Sequence, residues 1–337
     1  MFLNERAIPV TLQQIITVRS RLQSYHPKQL KLEKSEMKRW AGYHGERTVD
    51  KYLRRFAADR FTIVPDLNLV EQEGFQIDTF LYNQCFGLIL EIKNILGTVY
   101  FDKYSNQMIR IWKGEKDGFS NPILQAQMHK MHLKNWLTKR KFTQIPIEWL
   151  VVFSNPATIL ETTPGNEQIF QSVIHANLLQ EKINELEEKY TSTEINKHTS
   201  KKLNKLLLEE NIPYLSDILQ KYELTQADIS TGVRCPNCNF VPMLRVSAKW
   251  HCPKCKTDSK KAHIPSIYDY LLLNHQTITN HQCRDFLHIP SRRISREVLS
   301  DLPLIGTKRG STYQLTNLLH DSGNNFLLPK NKSWELS

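Results

Sequence analysis

The chain has 337 residues, 40% hydrophobic and 23% charged, enough for two or three domains of which one can bury a full core. Its longest apolar runs, Phe86–Leu90 and Trp149–Phe153, are strand-sized and exclude a membrane-spanning helix. The opening MFLNERAIPV lacks the charged-then-apolar pattern of an export signal, so a cytoplasmic location is expected. A formal charge of +11 and a pI near 9.3 favour a polyanionic partner, nucleic acid being the commonest, although a merely basic protein carries the same charge.

In chain order, Leu12 to roughly Ala58 reads as helical, rich in Lys, Arg, Glu and Leu and broken at His26-Pro27. Gly42 and Gly45 are costly in a helix interior, which points to close packing or a functional backbone approach there. From Phe61 to Tyr100 the pattern changes to short strands. Phe75–Tyr82 and Phe86–Lys93, joined by Asn83-Gln84-Cys85, read as a β-hairpin, and a third strand is expected around Gly97–Phe101. Asn121-Pro122 starts a helix to about Arg140, and Trp149–Phe153 is a further strand. The order α–β–β–β–α–β implies a mixed α/β domain with a central sheet. Polar, helix-prone sequence follows over 165–230, with amphipathic segments at Glu181–Tyr190 and Lys201–Glu210; no heptad persists for three turns, so a helical connector is expected.

The sharpest chemical signal is Asp78 followed by Glu91-Ile92-Lys93. Strand alternation puts Glu91 and Lys93 on one face, and the hairpin can place Asp78 on that face of the neighbouring strand. A carboxylate that interrupts the apolar run Leu88-Ile89-Leu90 needs a partner or a metal. Two carboxylates suit Mg²⁺, and Lys93 can position an attacking water and offset developing charge. A structural lysine–carboxylate pair on an exposed strand face fits the same residues.

Residues from about Arg39 to Asn155 resemble the NERD (nuclease-related) domain of the PD-(D/E)XK nuclease superfamily. The pieces that carry the resemblance are Gly42–Arg47, Pro65–Leu69, Phe75–Thr79, Leu90–Asn94, Gly97, Asn121-Pro122 with Gln125 and His129, and Val151–Ser154. The resemblance implies that Asp78 and Glu91 hold Mg²⁺ or Mn²⁺, that Lys93 is the superfamily lysine, and that Glu46 is the acid given by the preceding helix. Gln125 resembles the glutamine that starts the helix after the core strands in the RecB-like branch. His129 stands where that branch usually has tyrosine, so a phosphate contact and a structural role are both open for it. Pro65-Asp66 spells the literal motif, yet Asp66 is expected to cap a turn in Pro-Asp-Leu-Asn, with Asp78 opposite the Glu-x-Lys strand. His44 reads as a helix-surface histidine.

Four of the six cysteines form two C-x-x-C pairs, Cys235/Cys238 and Cys252/Cys255. Two such knuckles complete a tetrahedron around a structural Zn²⁺, with Met243–Trp250 supplying a ribbon hairpin and no open ligand position left for catalysis. Cys85 and Cys283 read as buried small hydrophobes. Arg245, Lys249, Lys254 and Lys256 make nucleic-acid contact feasible, while a purely stabilising ribbon is the plainer reading.

Three short helices follow, Pro265–Leu273, Thr279–Leu287 and Ser291–Leu302, and then a hairpin over Leu304–Leu315, an order that resembles a winged helix-turn-helix. Arg292, Arg293 and Arg296 would start the recognition helix, and Lys308 and Arg309 would tip the wing, although the same module also serves protein contacts.

The expected architecture is therefore an N-terminal helical extension (1–35), a PD-(D/E)XK-like α/β domain with a mixed central sheet flanked by helices (36–160), a helical connector (161–230), a zinc ribbon (231–260) and a small winged-helix-like basic module (261–337). The expected function is Mg²⁺-dependent hydrolysis of DNA, endo- or exonucleolytic, with ribbon and tail holding the substrate. An inactive nuclease fold serving as a DNA-binding or adaptor protein is the alternative, and the connector leaves room for a homo-oligomer or a protein partner.

Overall fold

The break at His26-Pro27 separates α1 (Val10–Arg21) from α2 (Gln29–Phe56). The computed structural model describes residues 1–70, 74–142, 145–213, 215–274, 277–300, 302–306 and 311–314. They fall into two compact units. The first comprises Met1–Arg6 with the described residues of Trp40–Tyr214; the second comprises Ala7–Arg39 with those from Leu215 onward.

In the first unit, the part of α2 from Trp40 onward leads into β1 (Thr62–Leu69), β2 (Phe75–Tyr82) and β3 (Gly87–Lys93). The β2–β3 turn is set by Asn83, whose side chain accepts from the backbone N–H groups of Cys85 and Phe86. Then come β4 (Thr98–Phe101), β5 (Met108–Trp112), β6 (Glu115–Phe119), α3 (Pro122–Lys139) and β7 (Ile147–Phe153). Asn121 caps α3 by accepting from the Ile123 N–H, and Pro122 occupies the first turn, where a missing donor costs nothing. The unit continues with β8 (Ile159–Thr162), β9 (Val173–His175), α4 (Leu179–Lys189) and α5 (Lys197–Glu210).

The five-stranded central sheet runs β1-β2-β3-β7-β9, antiparallel across β1, β2 and β3 and parallel from β3 through β7 to β9. Alternation along β3 sorts the two faces. Leu88, Leu90 and Ile92 join a core with α2 and α4, whereas Ile89 joins one with α3 and α5. Glu91 and Lys93 follow the register of Ile89 and lie on the α3 side. This mixed α/β arrangement is consistent with the expected PD-(D/E)XK-like fold.

Three features depart from the sequence reading. The strand expected near Gly97–Phe101 forms as β4, but in a separate four-stranded sheet, β6-β5-β4-β8. The β5–β6 hairpin, whose second strand is mostly polar, turns through Lys113 and Gly114, both at positive φ. β8, which straddles the start of the expected connector, and β9, inside it, complete the two sheets, pairing parallel with β4 and β7. Strands of three or four residues are too short for their periodicity to register.

The second unit contains α1, α6 (Ile218–Lys221), β10 (Leu244–Val246), β11 (Lys249–His251), β12 (Asp258–Ser259), α7 (His263–Leu273), β13 (Thr277–Ile278), α8 (Asn280–Leu287), α9 (Arg292–Val298), β14 (Leu304–Ile305) and β15 (Thr312–Gln314). β10-β11-β12 make one sheet and β13-β15-β14 another. Ribbon and helices share one core, in which Cys235, Met243, Trp250 and Cys252 pack with Ile267, Leu271 and Phe286. The helix α1 buries Ile15, Val18 and Leu22 against Ile218, Leu219 and Tyr222. Among the described residues no helix is long and apolar enough to cross a membrane.

Candidate active site and metal centre

The last β2–β3 pair is Thr79 with Leu90, which leaves Asp78 opposite Glu91 where the ladder ends. Asp78 Oδ2 there accepts from the Ile92 N–H at 2.7 Å. Glu91 is 1% exposed; its Oε1 accepts from Lys93 Nζ at 2.6 Å. Gln125, in the first turn of α3, accepts from the same Nζ at 3.3 Å, and one turn on His129 Nδ1 stands 3.3 Å from Glu91 Oε2. Asp78, Glu91, Lys93, Gln125 and His129 thus occupy one end of the β2–β3–α3 layer.

Crowded carboxylates dominate the electrostatics. Burial, then the charges of Glu91 and Glu46, raise the Asp78 carboxyl well above the usual carboxylate range. Burial alone would lower Lys93, but Glu91 and Asp78 more than compensate, so its ammonium is held in the charged form.

Glu46 reaches this region from α2, where Asp50 stands one turn further on. Arg6 binds both: Nη1 donates to Glu46 at 2.8 Å, and Nε and Nη2 donate to Asp50 at 2.7 and 2.9 Å. The same guanidinium donates to the Asp78 carbonyl and to Thr79 Oγ1, so it ties α2 to β2 beside the acids. One cation shared by two acids, with Asp66 nearby, does not neutralise them all. Burial pushes Glu46 up to about 7 against the pull of Arg6, with the Asp66 and Asp50 charges adding to the rise. The sequence reading missed Arg6, and no local signal could have found it, because its partners lie 40 residues and more away.

Gly45 explains how α2 comes so close. A Cβ there would meet Asn94 Cβ at 2.5 Å and Ser154 Oγ at 2.7 Å, whereas one on Gly42 would meet nothing within 4 Å. The close-packing expectation therefore holds at Gly45 alone. Gly45→Ala should push α2 off the strand ends, cost about 1–3 kcal/mol in overpacking and slow any cleavage at least ~10-fold. Gly42→Ala should stabilise by roughly 0.5–1 kcal/mol through helix propensity and leave turnover alone. Matching melting curves and rates for the two variants would refute this account of α2.

Asp66 does not cap a turn. It lies inside β1 at φ 51°, in register opposite Asp78, and its Oδ1 accepts from Gln76 at 2.6 Å and Asn68 at 3.1 Å. His44 stacks on Trp40 with ring centroids 5.6 Å apart.

The donor set suits a hard cation. Glu91 Oε2 is buried and has no hydrogen-bond partner, and the raised Asp78 carboxyl would be relieved by positive charge. Among the described residues, only four cysteines bring three or more such ligand atoms within 4.8 Å of one another. The acidic site therefore offers one or two carboxylates, the number that Mg²⁺ uses when waters and phosphate oxygens fill its other positions.

Those four are Cys235, Cys238, Cys252 and Cys255. Their two knuckles repeat one backbone pattern. Asn239 and Lys256 stand at positive φ, each donating its N–H to the first cysteine of its pair, while Cys235 and Cys252 donate to Phe240 and Thr257. Sulfur atoms of opposite knuckles approach to 3.6 Å, close to the ~3.8 Å edge of a tetrahedron with 2.3 Å zinc–sulfur bonds. The cluster can hold a structural zinc. Because Cys235 and Cys252 are part of the second unit's core, stripping the metal should abolish that unit's cooperative thermal transition. Calorimetry before and after chelation tests this; an unchanged trace would show that the core stands without metal. Cys283 is buried as expected, whereas Cys85 is half-buried.

Arg292, Arg293 and Arg296 are exposed on α9, which Ser291 caps, and among the described residues no acid pairs with them. Lys308 and Arg309 lie outside the described residues. In the ribbon, Lys249 pairs with Asp258 at 2.5 Å and the Arg245 guanidinium lies 4.9 Å from the Trp250 ring centroid, while Lys254 and Lys256 are exposed.

The family model of the nuclease-related domain matches residues 41–154, the stretch from α2 through the β-strands and α3 to the end of β7. No curated protein and no solved structure matches the chain. Residues 41–154 of this chain, which hold the acids, the lysine and the glutamine, match the NERD nuclease-related domain family.

Proposed function

We propose that the chain is a nuclease that hydrolyses DNA phosphodiester bonds with Mg²⁺ or Mn²⁺ at the Asp78–Glu91 site, and that its second unit holds the DNA. The observation that carries the reading is the buried Glu91 carboxylate, with one oxygen on Lys93 and the other without a hydrogen-bond partner, opposite a second acid in register. A divalent ion bound there supplies an activated water and offsets charge on the scissile phosphate. Glu91 and Asp78 raise the Lys93 ammonium above its ordinary value, which suits it to act as a donor. Glu91 and Gln125 engage its ammonium, which leaves one of three N–H groups for a phosphate oxygen or the attacking water. Glu46, held by Arg6, adds negative charge that strengthens cation binding.

For the second unit, the order α7–β13–α8–α9–β14–β15 supports a winged-helix-like reading, and the three exposed arginines on α9 suit DNA phosphates and base edges. The test is nicking of supercoiled plasmid in Mg²⁺ or Mn²⁺. Wild type should cut, Lys93→Ala should not, and alanine at Arg292, Arg293 and Arg296 together should weaken DNA binding and flatten its salt dependence. Metal-dependent binding without cutting by the wild type would instead make the chain an adaptor with a nuclease fold.

A further inference from the structure

His129 is not accounted for by the roles assigned above. It lies one turn after Gln125 on α3, with its side chain 12% exposed. Its Nδ1 is buried without a hydrogen-bond partner, and so is the atom it faces, Glu91 Oε2, at 3.3 Å. Two unsatisfied ligand-type atoms turned toward each other at a buried acidic site are costly unless something sits between them. Two ligands that share one ion at bond lengths near 2.1 Å stand about 3.0 Å apart at right angles and ~3.4 Å apart in a tetrahedron. The observed separation falls inside that interval.

We propose that His129 is a ligand of the divalent ion through Nδ1, sharing it with Glu91 Oε2, and that this nitrogen biases the site toward Mn²⁺ and similar transition ions over Mg²⁺. The inference rests on the nuclease reading and deepens it. Imidazole suits borderline transition ions, whereas Mg²⁺ favours oxygen donors. Gln125 and His129 then divide the work of one helix face: Gln125 orients Lys93, and His129 completes the donor set. The competing account is an ion pair between protonated His129 and Glu91, and it predicts the opposite sign, because a cationic imidazole would compete with the metal.

Direct binding separates the two. With the cysteine cluster zinc-loaded, Mn²⁺ uptake is followed by loss of the free-ion EPR signal, and Mg²⁺ is measured by competition, for wild type, His129→Ala and His129→Gln. Both variants should lose roughly tenfold or more in Mn²⁺ affinity and less than about threefold in Mg²⁺ affinity. Pulsed EPR of the wild-type Mn²⁺ complex should show ¹⁴N coupling, a readout that needs no variant to fold. Unchanged or tighter Mn²⁺ binding in the variants, or no ¹⁴N coupling in wild type, overturns the assignment of His129 and leaves the nuclease reading standing. Wild type that binds neither ion overturns both.

Discussion

Asp78→Asn is expected to lower metal-dependent cleavage by roughly 10³-fold while making the magnesium-free protein more stable. The opposition follows from the position of the acid. Its carboxyl is raised by burial and by the charges of Glu91 and Glu46, so ionising it in the folded protein costs more than in the unfolded chain. A group with a raised folded pKa contributes stability below its unfolded value and loses it as pH rises through the folded one. For Glu46 that window runs from about 4.5 to about 7, and Asp78, shifted in the same direction, steepens the fall. Asparagine can still accept from the Ile92 N–H, so the local bond survives while the repulsion goes. Thermal melts from pH 5 to 8, zinc retained and magnesium withheld, should show a higher and flatter Tm for the variant, and added Mn²⁺ should stabilise wild type alone. A variant that melts lower, or that still cuts, would mean that Asp78 is a structural acid.

How much of this was legible beforehand depended on the range of each interaction. Glu91 and Lys93 share a face because side chains alternate along one strand, and Asp78 sits across from Glu91 because a short hairpin sets the register; both are local rules. The four cysteines announce themselves by spacing. The network around Arg6 is different in kind, since a guanidinium before α1 finds Glu46, Asp50 and Thr79 only after the sheet has formed. Gly45 could be marked as costly in a helix, but what it makes room for, Asn94 and Ser154, lies just past the ends of strands far along the chain. The ribbon's merger with α7 and α8 into one core was equally out of reach, because separate motifs say nothing about which apolar faces meet.

That merged core carries the second large effect, for Asp269→Asn should destabilise the second unit by about 3–5 kcal/mol. Asp269, on α7, is fully buried and serves two arginines: Arg21 from α1 donates from Nε at 2.9 Å, and Arg234, beside the first zinc knuckle, from Nε at 3.0 Å. Burial would raise this carboxyl, but Arg234 and Arg21 together hold it below the usual range. With its folded pKa depressed, its contribution is complete above the unfolded value near 3.8 and is lost as pH falls through the folded one, so neutral buffers give its full effect. Arg21 is the weaker-held cation: burial and the neighbouring Arg234 charge outweigh Asp269 and lower its pKa, while its guanidinium also rests 4.7 Å from the Phe286 ring centroid. Asparagine would leave two buried guanidinium groups facing a neutral amide. Combining Arg21→Met, Asp269→Leu and Arg234→Met in one protein should return most of the loss, because removing all the charges also removes their desolvation cost. Chemical denaturation of the second unit's transition at pH 7 measures both changes. A single variant within about 1 kcal/mol of wild type would place the strength of this core in its apolar contacts and zinc knuckles instead.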